Sequence, residues 1–302
     1  MSAGAVLHST GYRPHDGPRT GVAGAMRSVT AVTLRHAMGI GRPARAKVFP
    51  ILAIVVAYVP TLVFIGVAVL GNRLEREGAP GRAMADAFIP SYAGNYLQIV
   101  LAILVLAAFV APEVLCPDRR TGMLGLYLAA PLNRTTYLLS KGAAVAAMLS
   151  VVTVGPPLLL LAGYASQGYG PVGLDGWLAT VGRILAAGAV IAAVQTSVSL
   201  AVSSLTTRTA AASAGFLGLL VGVSGLVGFA VVSGGASPRW NLANLATLPY
   251  EATFRIFGEP SPLVVVPYEE LPAMEVAAAT AAWIVVSLLV VAVAYRRVEA
   301  AR

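Results

Sequence analysis

The sequence predicts an all-α membrane protein: six transmembrane helices, an amphipathic interfacial helix before the first, and a short cytoplasmic helix between the second and third. Three observations carry that expectation. Of the 302 residues, 57% are hydrophobic and 11% charged, with a mean hydropathy of +0.78, whereas soluble domains carry about 25% charged residues. Six stretches reach the roughly 20 apolar residues that a bilayer crossing needs. The Lys and Arg residues segregate to one side of the membrane only when six crossings are counted.

The elements follow in order. Residues 1–21 are polar and rich in Gly, Pro and His, with no apolar run of the signal-peptide kind, and are assigned to a disordered cytoplasmic tail. In residues 22–47, Met26, Val29, Thr33, Ala37 and Ile40 recur at helical spacing, while Arg27, Arg35 and Arg42 lie elsewhere on the wheel. That pattern predicts a basic amphipathic helix in the inner interface, with a flexible basic tail as the alternative. Residues 48–296 form the six-helix domain, with spans at Val48–Leu70, Tyr92–Val114, Gly142–Ala165, Trp177–Leu205, Ala210–Val232 and Met274–Tyr295. Pro156-Pro157 should kink the third. The longest outer loop, Ser233–Ala273, has room for a short interfacial or re-entrant helix over Asn241–Phe257. Residues 297–302 form a second cytoplasmic tail.

Charge sets the orientation. Seven basic residues from Arg13 to Lys47, then Arg119, Arg120, Arg134 and Lys141, then Arg208, then Arg296, Arg297 and Arg302 share one side. Most acids lie opposite. Both termini are therefore expected in the cytoplasm. The net charge of +8 reflects this topology rather than a nucleic-acid surface. The single cysteine, Cys116, excludes a disulfide within the chain.

Catalytic signatures are sparse. The three histidines all precede the first span, no His/Cys/Asp/Glu group has metal-ligand spacing, and no glycine-framed phosphate loop is present. The middle of every span is free of Asp, Glu, Lys and Arg, unlike ion-coupled carriers. Arg183 reads as an interface anchor. Two stripes stand out within the spans: Gln195, Ser199 and Ser203 in the fourth, and Gly215, Gly218, Gly222 and Gly225 in the fifth, with Gly218 and Gly222 in G-x-x-x-G spacing. Each reads first as intramembrane packing and second as a subunit seam or translocation path.

The connection from Glu113 to Lys141 is more specific. Pro117 is placed to open a short helix with Asp118 in its first turn. Met123, Leu124, Tyr127 and Leu128 make one apolar face, Pro131 ends it, and Asn133 or Thr135 can cap the next helix. Glu113 is either solvated or paired with Arg119, Arg120 or Lys141. At these residues the chain resembles the permease subunits of ATP-binding-cassette exporters of the ABC-2 type. Their recurring pattern is an acid, one or two arginines, Thr/Ser-Gly, a Leu-rich turn, Pro, then a Lys opening the third span. This sequence supplies Glu113, Arg119, Arg120, Thr121, Gly122, Leu124, Leu126, Pro131 and Lys141. The resemblance covers nearly the whole chain by topology, and motif identity is confined to this segment.

The resemblance implies a non-catalytic transport subunit of a bacterial cytoplasmic membrane. Two copies of an ABC ATPase would bind ATP and Mg, with no cofactor in this chain, and a second permease, the same or homologous, would complete the path amid membrane lipids. Met123–Ala129 would be the coupling lever, held by Glu113 and its basic neighbours. A hydrophobic or amphiphilic cargo fits the uncharged span centres. Two other classes remain: a membrane-embedded lipid-modifying enzyme, which would use outer acids such as Glu251, Glu259, Glu269 and Glu270, and an ATP-independent carrier.

Overall fold

The computed structural model describes residues 21–41, 47–123, 132–263, 268 and 271–300, with side chains through Arg296. Its elements are α1 (Gly21–Ala37), α2 (Val48–Arg76), α3 (Gly81–Asp86), α4 (Tyr92–Gln98), α5 (Val100–Arg120), α6 (Arg134–Thr153), α7 (Gly155–Ser166), α8 (Gly173–Ser204), α9 (Thr209–Val232), a 3-10 turn (Pro238–Ala243), α10 (Leu248–Phe257) and α11 (Ala273–Ala300). No strand occurs among the described residues. Six of these helices, counting α6 and α7 as one broken helix, are long and apolar enough to cross a membrane, with mean hydropathies of 1.9 to 2.6.

Helix α8 is the axis of the bundle. In its most apolar window 72% of residues are buried, against 22% in α2, α9 and α11. Around α8 pack α5, α6, α9, α10 and α11. Small residues permit that close packing. A Cβ on Gly188 would lie 2.6 Å from Val154 Cγ2 and 3.0 Å from the Thr153 carbonyl oxygen, so α8 presses on the bundle at the break between α6 and α7. Pro156 and Pro157 follow that break directly and have no N–H to continue the helical ladder. The expected kink is thus a break at Val154. Tyr58 of α2 donates to the carbonyl of Val151 there, at 3.1 Å.

The second span departs from its expected limits in two ways. Its first part is a separate helix, α4, capped by Ser91. Buried Asn95 donates to Thr61 of α2 at 3.2 Å, and Tyr96 donates to the Ile184 carbonyl of α8 at 3.0 Å. Its second part, α5, runs on past Val114 through Pro117 to Arg120. Pro117 and Asp118 therefore end the span rather than open a new short helix. The outer-loop expectation at Asn241–Phe257 resolves into the 3-10 turn and α10. These are tied down by Tyr268, whose hydroxyl donates to the Asn241 carbonyl at 2.9 Å, and by Trp283, which donates to the Leu242 carbonyl at 3.2 Å. Burial pushes the Tyr268 hydroxyl pKa well above the ordinary phenol value, so it stays a neutral donor.

Helix α1 lies against α6, where Thr30 donates to the Ser140 carbonyl at 3.1 Å. Along the stripe read from the sequence, Met26 and Val29 are half-buried, Thr33 and Ala37 are buried, and Ile40 is exposed beyond the helix end. Arg27 and Arg35 face outward. The helix stops at Ala37, short of residue 47, and α11 continues as helix to Ala300.

Candidate functional site

The end of the bundle where α5, α8 and α11 finish and α6 begins is held by a compact polar node. Lys141 Nζ lies 2.8 Å from Asp118 Oδ2, with the lysine side chain only 6% exposed and the aspartate 16%. Tyr137, one turn before Lys141 on α6, donates its hydroxyl to the same oxygen at 2.7 Å. Arg119 turns the other way. Its guanidinium donates to the Ser204 carbonyl at the end of α8 and, at 3.4 Å, to that of Thr206. It also lies 5.7 Å from the ring centroid of Tyr295 on α11, within cation–π range. The Tyr137 and Tyr295 rings are 6.3 Å apart. Two adjacent residues of α5 thereby bind three other helices.

Local sequence places these groups. Adjacent helical residues diverge by about 100°, so Asp118 and Arg119 address different neighbours. Helix α5 stops because Gly122 takes a left-handed φ of 70°, a backbone state that costs other residues roughly 1 kcal/mol or more. The Met123 N–H then bonds back to the Asp118 carbonyl at 3.1 Å, closing the helix end. On the far side of the connection, Asn133 is the cap. Its side chain accepts from the Thr136 N–H at 2.8 Å, and Thr136 Oγ1 accepts from the Asn133 N–H at 2.9 Å, a reciprocal capping box that fixes where α6 starts.

The residues proposed from sequence fall into distinct places. Lys141 and Arg119 are in the node. Lys141's partner there is Asp118, and Glu113 sits elsewhere, lining a small crevice with Ala37, Phe49 and Pro50 on the α1–α2 side of α5. Arg120 is the exposed last residue of α5, and Met123 is 40% exposed in the turn after it. Leu124, Tyr127 and Leu128, with the rest of the expected coupling helix through Pro131, lie outside the described residues. Gln195, Ser199 and Ser203 are all buried. Ser199 and Ser203 serve their own helix, donating to the Thr196 and Ser199 carbonyls at 3.1 and 2.7 Å. The glycine stripe points the opposite way. Gly215 meets only Val202, and nothing stands within 4 Å of a Cβ placed on Gly218, Gly222 or Gly225. Among the described residues that stripe is not a helix seam.

Sequence reading missed Tyr137 and Tyr295 and placed Asp118 in the first turn of a new short helix. The available signal was the i, i+4 spacing of Tyr137 and Lys141, which puts both on one face of α6. The described acids of this set each have a separate partner. Glu251 is buried and paired with Arg255 at 2.7 Å, while Glu259 accepts from Ser91. Glu275 holds Arg239 through two bonds of 3.1 and 3.2 Å. Glu269 and Glu270 lie outside the described residues. No known protein family matches the chain, and no curated protein matches it in sequence.

Proposed function

We propose that this chain is the membrane-spanning permease subunit of an ABC exporter of the ABC-2 type, moving a hydrophobic or amphiphilic compound across a bacterial cytoplasmic membrane. Two ATPase subunits on the cytoplasmic side supply the energy, and ATP and Mg belong to them. The observation that carries this reading is the node beneath the segment joining α5 to α6. A soluble motor pressing on that segment needs a stiff attachment to the bundle. Asp118 ties the end of α5 to Lys141 and Tyr137 of α6, while Arg119 ties it to the end of α8 and to Tyr295 of α11. A displacement at the connection is thus passed to the ends of four spans together rather than absorbed by one flexible loop.

In this mechanism the motor closes on ATP, pushes the Met123–Ala129 lever, and shifts the linked ends between inward-open and outward-open arrangements of a permease pair. The lever's apolar face, with Leu124, Tyr127 and Leu128, fills a groove on the motor as a helix-in-groove contact. The test is purification from the native host in mild detergent. An ABC ATPase should accompany the wild-type chain, and Tyr127→Ala should weaken that association, because truncating a buried interface anchor commonly costs about 2 kcal/mol or more. Purification without any ATPase would remove the exporter assignment and leave the ATP-independent carrier.

A further inference from the structure

A cavity of about 680 Å³ lies between α6, α8 and α11, and one polar group in its wall is unanswered. Helix α8 lines it with Ala193, Thr196, Ser197 and Leu200, the i, i+3, i+4, i+7 spacing of a single helix face. Ser197 donates its hydroxyl to the Val194 carbonyl at 3.0 Å. Thr196 is only 7% exposed, and its hydroxyl has no hydrogen-bond partner among the described residues. A helical threonine can bond back to a carbonyl of the preceding turn, as Thr253 and Thr280 do at 3.0 and 2.7 Å. Thr196 does not. A buried hydroxyl without a partner is destabilising, so the question is what could supply one.

Depth restricts the candidates. Thr196 precedes Ser204, the last residue of α8 at the polar node, by a rise of about 12 Å. Half of a hydrocarbon core of roughly 30 Å is about 15 Å. With the node at headgroup level, Thr196 therefore sits well inside the hydrocarbon, where an ordinary acyl chain offers only methylenes. A helix of a second copy offers no more, because the exposed residues in the middle of each described span are apolar or glycine. A water settles where several polar groups converge, and the deep walls on α6 and α11 are Gly142, Ala146, Ile284, Leu288 and Val291. A charged group is costly at this depth. What remains is an uncharged oxygen carried in by an apolar body. There is room for the rest of that body, since a second cavity of about 590 Å³ shares Ala193 and Ile284 with the first.

We infer that the α6–α8–α11 cavity is a binding site for an apolar chain bearing an uncharged mid-chain oxygen, a ketone or a hydroxyl, that pairs with the Thr196 hydroxyl. Rotation about χ1 exchanges the hydroxyl with the threonine methyl and turns it toward the cavity, and a helix accommodates threonine in two rotamers. The ligand thus satisfies a group that the protein and ordinary bilayer lipid leave unpaired. The site depends on the chain lying in a bilayer, and on neither the ATPase nor the side that faces the cytoplasm.

Native mass spectrometry of the purified full chain tests it, with two phosphatidylcholines as probes, identical except for a ketone in the middle of one acyl chain. The wild type should retain the keto lipid about fivefold better, the equivalent of one net hydrogen bond. Thr196→Val keeps the side-chain shape and removes the hydroxyl. It should bring the two lipids to equal retention, and without added lipid it should melt no lower than the wild type, because it deletes an unpaired buried group. Thr196→Ser should keep the preference, and Ala146→Trp, which fills the cavity, should abolish it. Equal retention by the wild type, or a preference that survives Thr196→Val, overturns the site. So does a Thr196→Val variant that melts lower, since the hydroxyl would then be engaged within the protein. An Ala146→Trp variant that splits a dimer while the preference persists would assign this face to a second copy and overturn it too. Failure here leaves the exporter reading intact, and absence of an ATPase partner leaves this binding result intact.

Discussion

At the scale of single residues, the decisive fact is that Lys141 is nearly buried and its charge is answered by Asp118, with Tyr137 sharing the same carboxylate oxygen. Removing one member of a buried pair strands the other, at a cost of about 3 kcal/mol. Lys141→Met and Asp118→Leu should each lower the thermal unfolding temperature in detergent. The double variant should lose less than the sum of the two, because neither charge is then left alone. Strictly additive losses would mean that the pair carries no mutual energy. The sequence left Glu113 either solvated or paired with Arg119, Arg120 or Lys141. The choice between Glu113 and Asp118 was not legible because it depends on rotation. Five residues along a helix turn a side chain by about 140° relative to its predecessor. Which face of α5 meets α6 is decided by packing against α8, α9 and α2 together. Tyr295, about 175 residues distant from Arg119 in sequence, had no local signal at all.

At the scale of elements, composition located every span, because each apolar run is bounded by charge or by Gly and Pro. It did not locate the interruptions equally well. The break at Val154 was legible from Pro156-Pro157, whose missing N–H groups act wherever the chain places them. The α4–α5 discontinuity at Ile99 was not, since no Gly or Pro marks it and the flanking residues are anchored by distant partners, Thr61 and Ile184. The broken third span makes a specific demand on α8. Gly188 faces the break with no room for a methyl group, whereas Gly182, on the same helix, has nothing within 4 Å. Gly188→Ala should therefore destabilise by about 1–3 kcal/mol, as overpacking of a filled core does. Gly182→Ala should be neutral or stabilising by up to about 1 kcal/mol, through helix propensity alone. Melting temperatures of the two variants in one detergent separate these effects. Equal shifts would show that the contact at Val154 does not constrain α8.

At the scale of the whole molecule, the geometry turns a charge pattern along the sequence into a polarity of the bundle. Arg119 and Arg120 at the end of α5, Arg134 and Lys141 on α6, Arg208 ahead of α9 and Arg296 on α11 belong to the end where Arg119 meets Ser204 and Tyr295. The opposite end holds the α10 cap, with its paired Glu251 and Arg255, and the Arg239–Glu275 bridge. Lysine and arginine excess marks the cytoplasmic face, and on that ground the orientation we propose puts the node inside. This proposed orientation would allow a soluble ATPase to reach the connection, and it can be tested without the ATPase. Cys116 is buried and is the only cysteine, so a Cys116→Ala background gives a silent chain. Single cysteines then go to three exposed positions: Ser166 and Ser237 at the capped end, and Thr207 at the basic end. In intact cells an impermeant maleimide should modify Ser166→Cys and Ser237→Cys at once, and Thr207→Cys only after the membrane is opened. Labelling of Thr207→Cys in sealed cells would invert the protein. It would place the connection where no ATP is available, and with that the exporter mechanism would have no energy source.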